Sequence, residues 1–134
     1  MKEAFYTMQT AGQAPRGRTV LVLNSLSVEA GLIRTWMEAE GYRVEVVPDK
    51  GGFEARVEKA PPDLIVMAQI EAGWAATTLF QQLKANETTK NIPIIFLATT
   101  GVPQVEQAGG VLLRRPFGSA ALLGAVQKAM NLKG

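Results

Sequence analysis

Five short aliphatic runs, separated by stretches with helical spacing or by Gly and Pro breaks, most limit what this chain can fold into. The runs are Thr19–Leu23, Arg43–Val47, Leu64–Met67, Ile92–Ala98 and Val111–Leu113. Thr19–Leu23 and Leu64–Met67 are apolar at successive positions, which suits parallel strands buried on both faces. Pro93 sits near the start of its run, where a missing N–H donor is tolerated. Strands alternating with helices over short connections build a parallel sheet with helices on both faces.

The intervening segments read as helices. Val28, Leu32, Ile33, Trp36 and Met37 recur at helical spacing, with Ser27 placed as N-cap and Gly41 as a left-handed C-cap. A second helix covers about Phe53 to Lys59, turning Phe53 and Val57 inward, and Pro61-Pro62 stops it. A third runs from Trp74 to Ala85 on Leu79, Phe80 and Leu83. Residues 100–110 leave room for only one or two helical turns, near Pro103 to Gln107, before Gly109-Gly110. The last helix, Ser119 to Leu132, is buried through Leu122, Leu123, Val126 and Met130. Residues 1–18 keep no sustained period and read as a flexible leader containing Phe5, Tyr6 and Met8. The domain itself spans 19–132.

The chain of 134 residues contains no Cys and no His. That excludes disulfides, thiolate metal sites and the commonest neutral-pH base. Net charge is +2, with basic residues scattered except at Arg16/Arg18 and Arg114-Arg115; nucleic-acid binding wants a basic face and is not expected. No apolar run is long enough for a membrane span, and no secretory signal is evident, so a cytoplasmic location is the expectation.

In an open α/β sheet the site lies beyond the carboxyl ends of the strands. The positions there are Asn24/Ser25, Ala68, Ala98/Thr99 and Arg114/Arg115. Together with the pieces "TVLVLNS", "EAEGY", "PPDLI", "NIPII" and "RPF", at family-like spacing over Thr19 to Met130, they give a chain that resembles a response-regulator receiver domain. The resemblance implies a flavodoxin-like (CheY-like) doubly wound α/β fold, with five parallel strands ordered 2-1-3-4-5 and a shortened or irregular fourth helix. It also draws attention to the Arg115–Pro116 peptide as a candidate cis bond.

A working receiver resembles a small phosphoryl-transfer site. An acidic pair after strand one holds Mg²⁺, an Asp ends strand three, a Ser or Thr ends strand four, and a Lys precedes a Pro after strand five. Here those positions carry Asn24-Ser25, Ala68, Ala98 (Thr99 adjacent) and Arg115. A methyl group cannot attack an acyl phosphate, and Mg²⁺ prefers carboxylate oxygens. The resemblance therefore implies a pseudo-receiver with a degenerate pocket, without phosphorylation, Mg²⁺ or other cofactor, and without enzyme activity.

The remaining features each have a plain reading. Glu71 could reach the pocket or be a solvated loop carboxylate. Arg115 could bind an anion or be a structural residue at the strand end, pairing with a carbonyl or solvent. Thr99 and Thr100 could be a hydroxyl-phosphorylation site, a residual switch or ordinary strand-to-loop residues. Trp36 reads as packing, and Trp74 as packing or an exposed binding group. The shortened stretch between Ala98 and Arg115 alters the family's output face. The last helix carries one charge, Lys128, between Ser119 and Asn131. Val111, Leu113, Ala120, Ala121, Gly124, Ala125 and Lys128 are thus the candidate partner surface. The expected function is protein–protein interaction in two-component signalling, with another signalling protein or a second copy as partner. The alternative is a small-ligand or anion sensor using the vacated pocket.

Overall fold

A computed structural model describes residues 17–68 and 76–133. The elements are β1 (Thr19–Leu23), α1 (Ser27–Ala39), β2 (Arg43–Val47), α2 (Lys50–Lys59), β3 (Leu64–Ala68), α3 (Ala76–Ala85), β4 (Ile94–Ala98), α4 (Pro103–Gln107), β5 (Val111–Arg114) and α5 (Ser119–Lys133). Among the described residues the five strands form one parallel sheet in the order β2-β1-β3-β4-β5. This is the expected flavodoxin-like topology, and α4 is the short helix expected at Pro103 to Gln107.

Strand alternation divides the core in two. Val20, Val22, Leu64, Val66, Ala68, Ile95, Leu97, Val111 and Leu113 face α1 and α5, meeting Ile33, Met37, Leu122 and Val126. Leu21, Leu23, Ile65, Met67, Ile94, Phe96 and Ala98 face the other way, onto Phe53, Val57, Leu79, Phe80, Leu83 and Val105. β3 and β4 are buried throughout, as befits central strands covered on both faces. Asp63 Oδ2 accepts a 2.8 Å hydrogen bond from the Thr19 N–H, tying the start of β1 to the start of β3.

Helix ends follow local chemistry. Asp49 caps α2 by accepting from the Gly52 N–H at 2.7 Å, so this helix starts earlier than its apolar residues suggest. Gly41, at φ 98°, ends α1. The Tyr42 N–H reaches Met37 O and the Gly41 N–H reaches Glu38 O, a Schellman arrangement.

Two expectations for α1 need correction. Ser27 is the first helical residue and not the cap; Leu26 holds the cap position, without a side-chain bond. Val28 and Leu32 do not face the core: they are 77% and 44% exposed. The buried stripe is Ala30, Ile33 and Met37. At 100° per residue Val28 lies about 180° round the helix from Met37, so both could not be inward. Trp36 is half-buried and meets Phe117 edge-on, with centroids 6.4 Å apart.

Candidate functional site

Asn24 follows Leu23, whose partner on the adjacent strand is Met67, and so stands level with Ala68; Arg115 follows β5 and meets Glu29 of α1. The ladder extends with them: the Asn24 N–H donates to Val47 O at 3.1 Å and the Arg115 N–H to Ala98 O at 3.0 Å. Ala98 belongs to the opposite core, so its methyl does not share a layer with Ala68. Ser25, Thr99 and Thr100 are exposed, whereas Asn24 is buried.

Asn24 replaces the expected helix cap by a different device. Its Oδ1 accepts from the Leu26 N–H at 2.8 Å, an Asx turn that leads the chain into α1. Its Nδ2 donates to Glu29 Oε1 at 2.7 Å. Glu29 sits in the first turn of α1, where the helix dipole favours a carboxylate. From across the fold Arg115 donates through Nε to Glu29 Oε2 and through Nη2 to Glu29 Oε1, both at 2.9 Å. The pair is bidentate, and its side chains are only 15% and 19% exposed.

Burial by itself would push the Glu29 carboxyl up. The hydrogen bonds from Arg115 and Asn24 and the adjacent guanidinium charge outweigh it, so the carboxyl is held below the ordinary glutamate range. The Arg115 guanidinium is thus paired with a carboxylate from the first turn of α1. Trp36 against Phe117 and Glu29 against Arg115 both tie α1 to the segment after β5. The Arg115–Pro116 peptide is cis.

Sequence reading missed Glu29. Glu29 brings an acid to this end of the sheet, and three N–H groups engage its two oxygens. The signals were an acid in the first turn of α1 and an Arg directly before Pro116. The pairing spans 86 residues of sequence and no local pattern reveals it. These groups do not fit a resident Mg²⁺. The ion needs several open oxygens, yet Glu29 is engaged and Asn24 Oδ1 is committed to Leu26. Among the described residues no group of three or more metal-ligating side chains converges.

The candidate partner surface contracts. Val111, Leu113 and Ala125 are buried, since β5 and the inner side of α5 form the core. Ala120, Ala121, Gly124 and Lys128 are exposed on α5. Glu71 and Trp74 lie outside the described residues. Among the described residues no helix is long and apolar enough to cross a membrane.

No family model matches the chain. It is similar to the phosphate regulon transcriptional regulatory protein PhoB of Rhizobium meliloti, at 29% identity over 105 residues, covering 74% of this chain and 45% of that protein. The chain spans about half the length of the curated relatives it matches first. Among solved structures, a response regulator from Chloroflexus aurantiacus superposes with TM-score 0.78 at 21% identity, over 87% of this chain and 99% of the other. The receiver domain of the sensor histidine kinase PA1611 of Pseudomonas aeruginosa, solved with a magnesium ion in its active-site cleft, gives TM-score 0.73 at 24% identity, over 86% and 98%. With the strand order above, these likenesses make the chain a domain with the CheY-like fold of response-regulator receivers.

Proposed function

We propose that this domain is a phosphorylation-independent pseudo-receiver, which serves two-component signalling by binding another protein and not by catalysis. The observation that carries the reading is the Asn24–Glu29–Arg115 cluster beside Ala68. Phosphoryl transfer depends on a positioned nucleophile and on metal neutralisation of charge. Ala68 offers no lone pair, and the nearby carboxylate is paired with a guanidinium. The cation that a phosphoryl group would need is held in a bidentate, charge-assisted pair, which is stronger than a neutral hydrogen bond. The same pairing weighs against anion sensing, because an anion would have to displace Glu29 from Arg115.

The partner face in this reading is the outer side of α5, where Ala120, Ala121 and Gly124 leave a smooth surface with Lys128 at its edge. The partner is another signalling protein or a second copy, met in the cytoplasm. The test has two arms. Treatment with acetyl phosphate and Mg²⁺ should give no phosphoryl adduct by intact mass; a stoichiometric adduct sinks the proposal. Affinity capture should recover a partner that Gly124→Trp abolishes and Ser25→Ala spares; the reverse pattern refutes the α5 face.

A further inference from the structure

The sheet has two edges, β2 and β5. An edge strand offers its unpaired N–H and C=O groups to another chain unless something blunts it. In β2 the Arg43 N–H and the Val47 C=O turn to the β1 side, meeting Arg18 O at 2.8 Å and the Asn24 N–H at 3.1 Å. Glu45 lies between them in the same phase, so Val44 and Val46 turn their N–H and C=O groups outward. One of these four groups is taken: Arg34 of α1 donates through Nη2 to Val44 O at 3.1 Å. Among the described residues the Val44 N–H and both backbone groups of Val46 meet no hydrogen-bond partner.

The side chains around this edge are mostly cationic. Arg56 of α2 holds Glu45 in a bidentate pair, Nε to Oε1 at 2.6 Å and Nη2 to Oε2 at 3.0 Å. Lys59 and Arg43 act on the same carboxylate only through their charge, and both are exposed. Lys59 follows Arg56 by three residues and Glu38 follows Arg34 by four, so each shares its neighbour's helix flank beside β2. The edge thus carries Arg34, Arg43, Arg56 and Lys59 against Glu38 and Glu45. Glu45 is already engaged, which leaves a clear positive excess in a chain whose net charge is only +2. A second copy would bring the same excess, and like charges across paired strands are destabilising. An acidic strand is attracted instead.

We propose that β2 is a docking edge for an extended acidic segment of a partner protein, which joins the sheet as a sixth strand along Val44 and Val46. The added strand alternates. Its carboxylates fall on the α2 face, over Arg43 and Lys59, and its apolar side chains fall on the α1 face, beside Val44 and Val46. Arg34 closes the edge while it is empty by holding the Val44 carbonyl, and turns to a partner carboxylate when the strand arrives. The α5 face lies at the other end of the sheet, where α5 packs on β4 and β5, so this surface does not depend on it.

The test is an amide NMR titration of the full chain with a short peptide alternating glutamate and valine, set against its lysine–valine counterpart. The acidic peptide should shift the Val44 and Val46 amides and slow their exchange with solvent, and the lysine peptide should do neither. Arg43→Glu/Lys59→Glu, at two exposed positions outside the core, should weaken binding about tenfold. Raising salt from about 0.1 M to about 1 M should weaken it too, as the Debye length falls from about 10 Å to about 3 Å. Unmoved Val44 and Val46 amides at millimolar acidic peptide overturn the proposal. So does equal binding of the lysine peptide, or binding that the double substitution leaves intact. Exchange at Val44 and Val46 that slows with protein concentration alone would assign the edge to a second copy, and would overturn it as well.

Discussion

Arg115→Met tests the Glu29–Arg115 pair most directly. The substitution removes both guanidinium bonds and the positive charge, and leaves Glu29 with the Asn24 amide alone. Exposed ion pairs contribute about 0–1 kcal/mol, and breaking a fully buried pair costs about 3–5 kcal/mol. With the two side chains 15% and 19% exposed and one of three hydrogen bonds surviving, about 2 kcal/mol is expected between these limits. For a domain of this size that is a fall in Tm of about 8 °C. The pH dependence fixes the cause. Glu29 is held below its ordinary range when folded, so its stabilising contribution is present above about pH 4.3, the unfolded value, and is lost as pH falls through the lowered folded value. In the variant, burial dominates and the Glu29 pKa should move up, which carboxyl NMR titration would read. Urea unfolding at pH 7 should show the full difference, which should shrink as the pH is taken down through the lowered folded value. A difference under about 0.5 kcal/mol at pH 7, or one unchanged in acid, would show that the pair behaves as an ordinary surface contact.

Other substitutions probe the frame around it. Gly110→Ala places a Cβ 2.7 Å from Val105 Cγ1 and 2.8 Å from Phe80 Cε1; overpacking of about 1–3 kcal/mol is expected by denaturant unfolding, and a neutral result would mean that α4 moves freely off the sheet. Asp49→Ala removes the cap on Gly52 and should cost about 1 kcal/mol, with Asp49→Ser recovering most of it in the same assay. Ala68→Asp puts a carboxyl at a fully buried position; it should destabilise by at least about 2 kcal/mol at neutral pH, less in acid, and should still not label with acetyl phosphate and Mg²⁺.

The sequence by itself marked the five strands, and its resemblance to receiver domains implied their order. Runs such as Thr19–Leu23 and Leu64–Met67 are apolar at successive positions, which suits central strands covered on both faces, and Gly109-Gly110 left no room for a longer fourth helix. It also settled that position 68 carries a methyl group. What stayed illegible were quantities fixed by neighbours distant in sequence. Spacing put Val28 and Leu32 with Ile33 and Met37, but periodicity shows only that a helix has an apolar side. Which side faces inward depends on the sheet and on α5. Composition marked α5 as a smooth helix, yet burial of Ala125, Val111 and Leu113 follows from packing between α5 and β5. Glu29 and Arg115 meet because parallel strand order brings the start of α1 beside the end of β5. Each looks like an ordinary charged residue in its own segment. Only the fold converts them into a neutral pair at the end of the sheet, since opposite charges reinforce each other strongly where water is excluded.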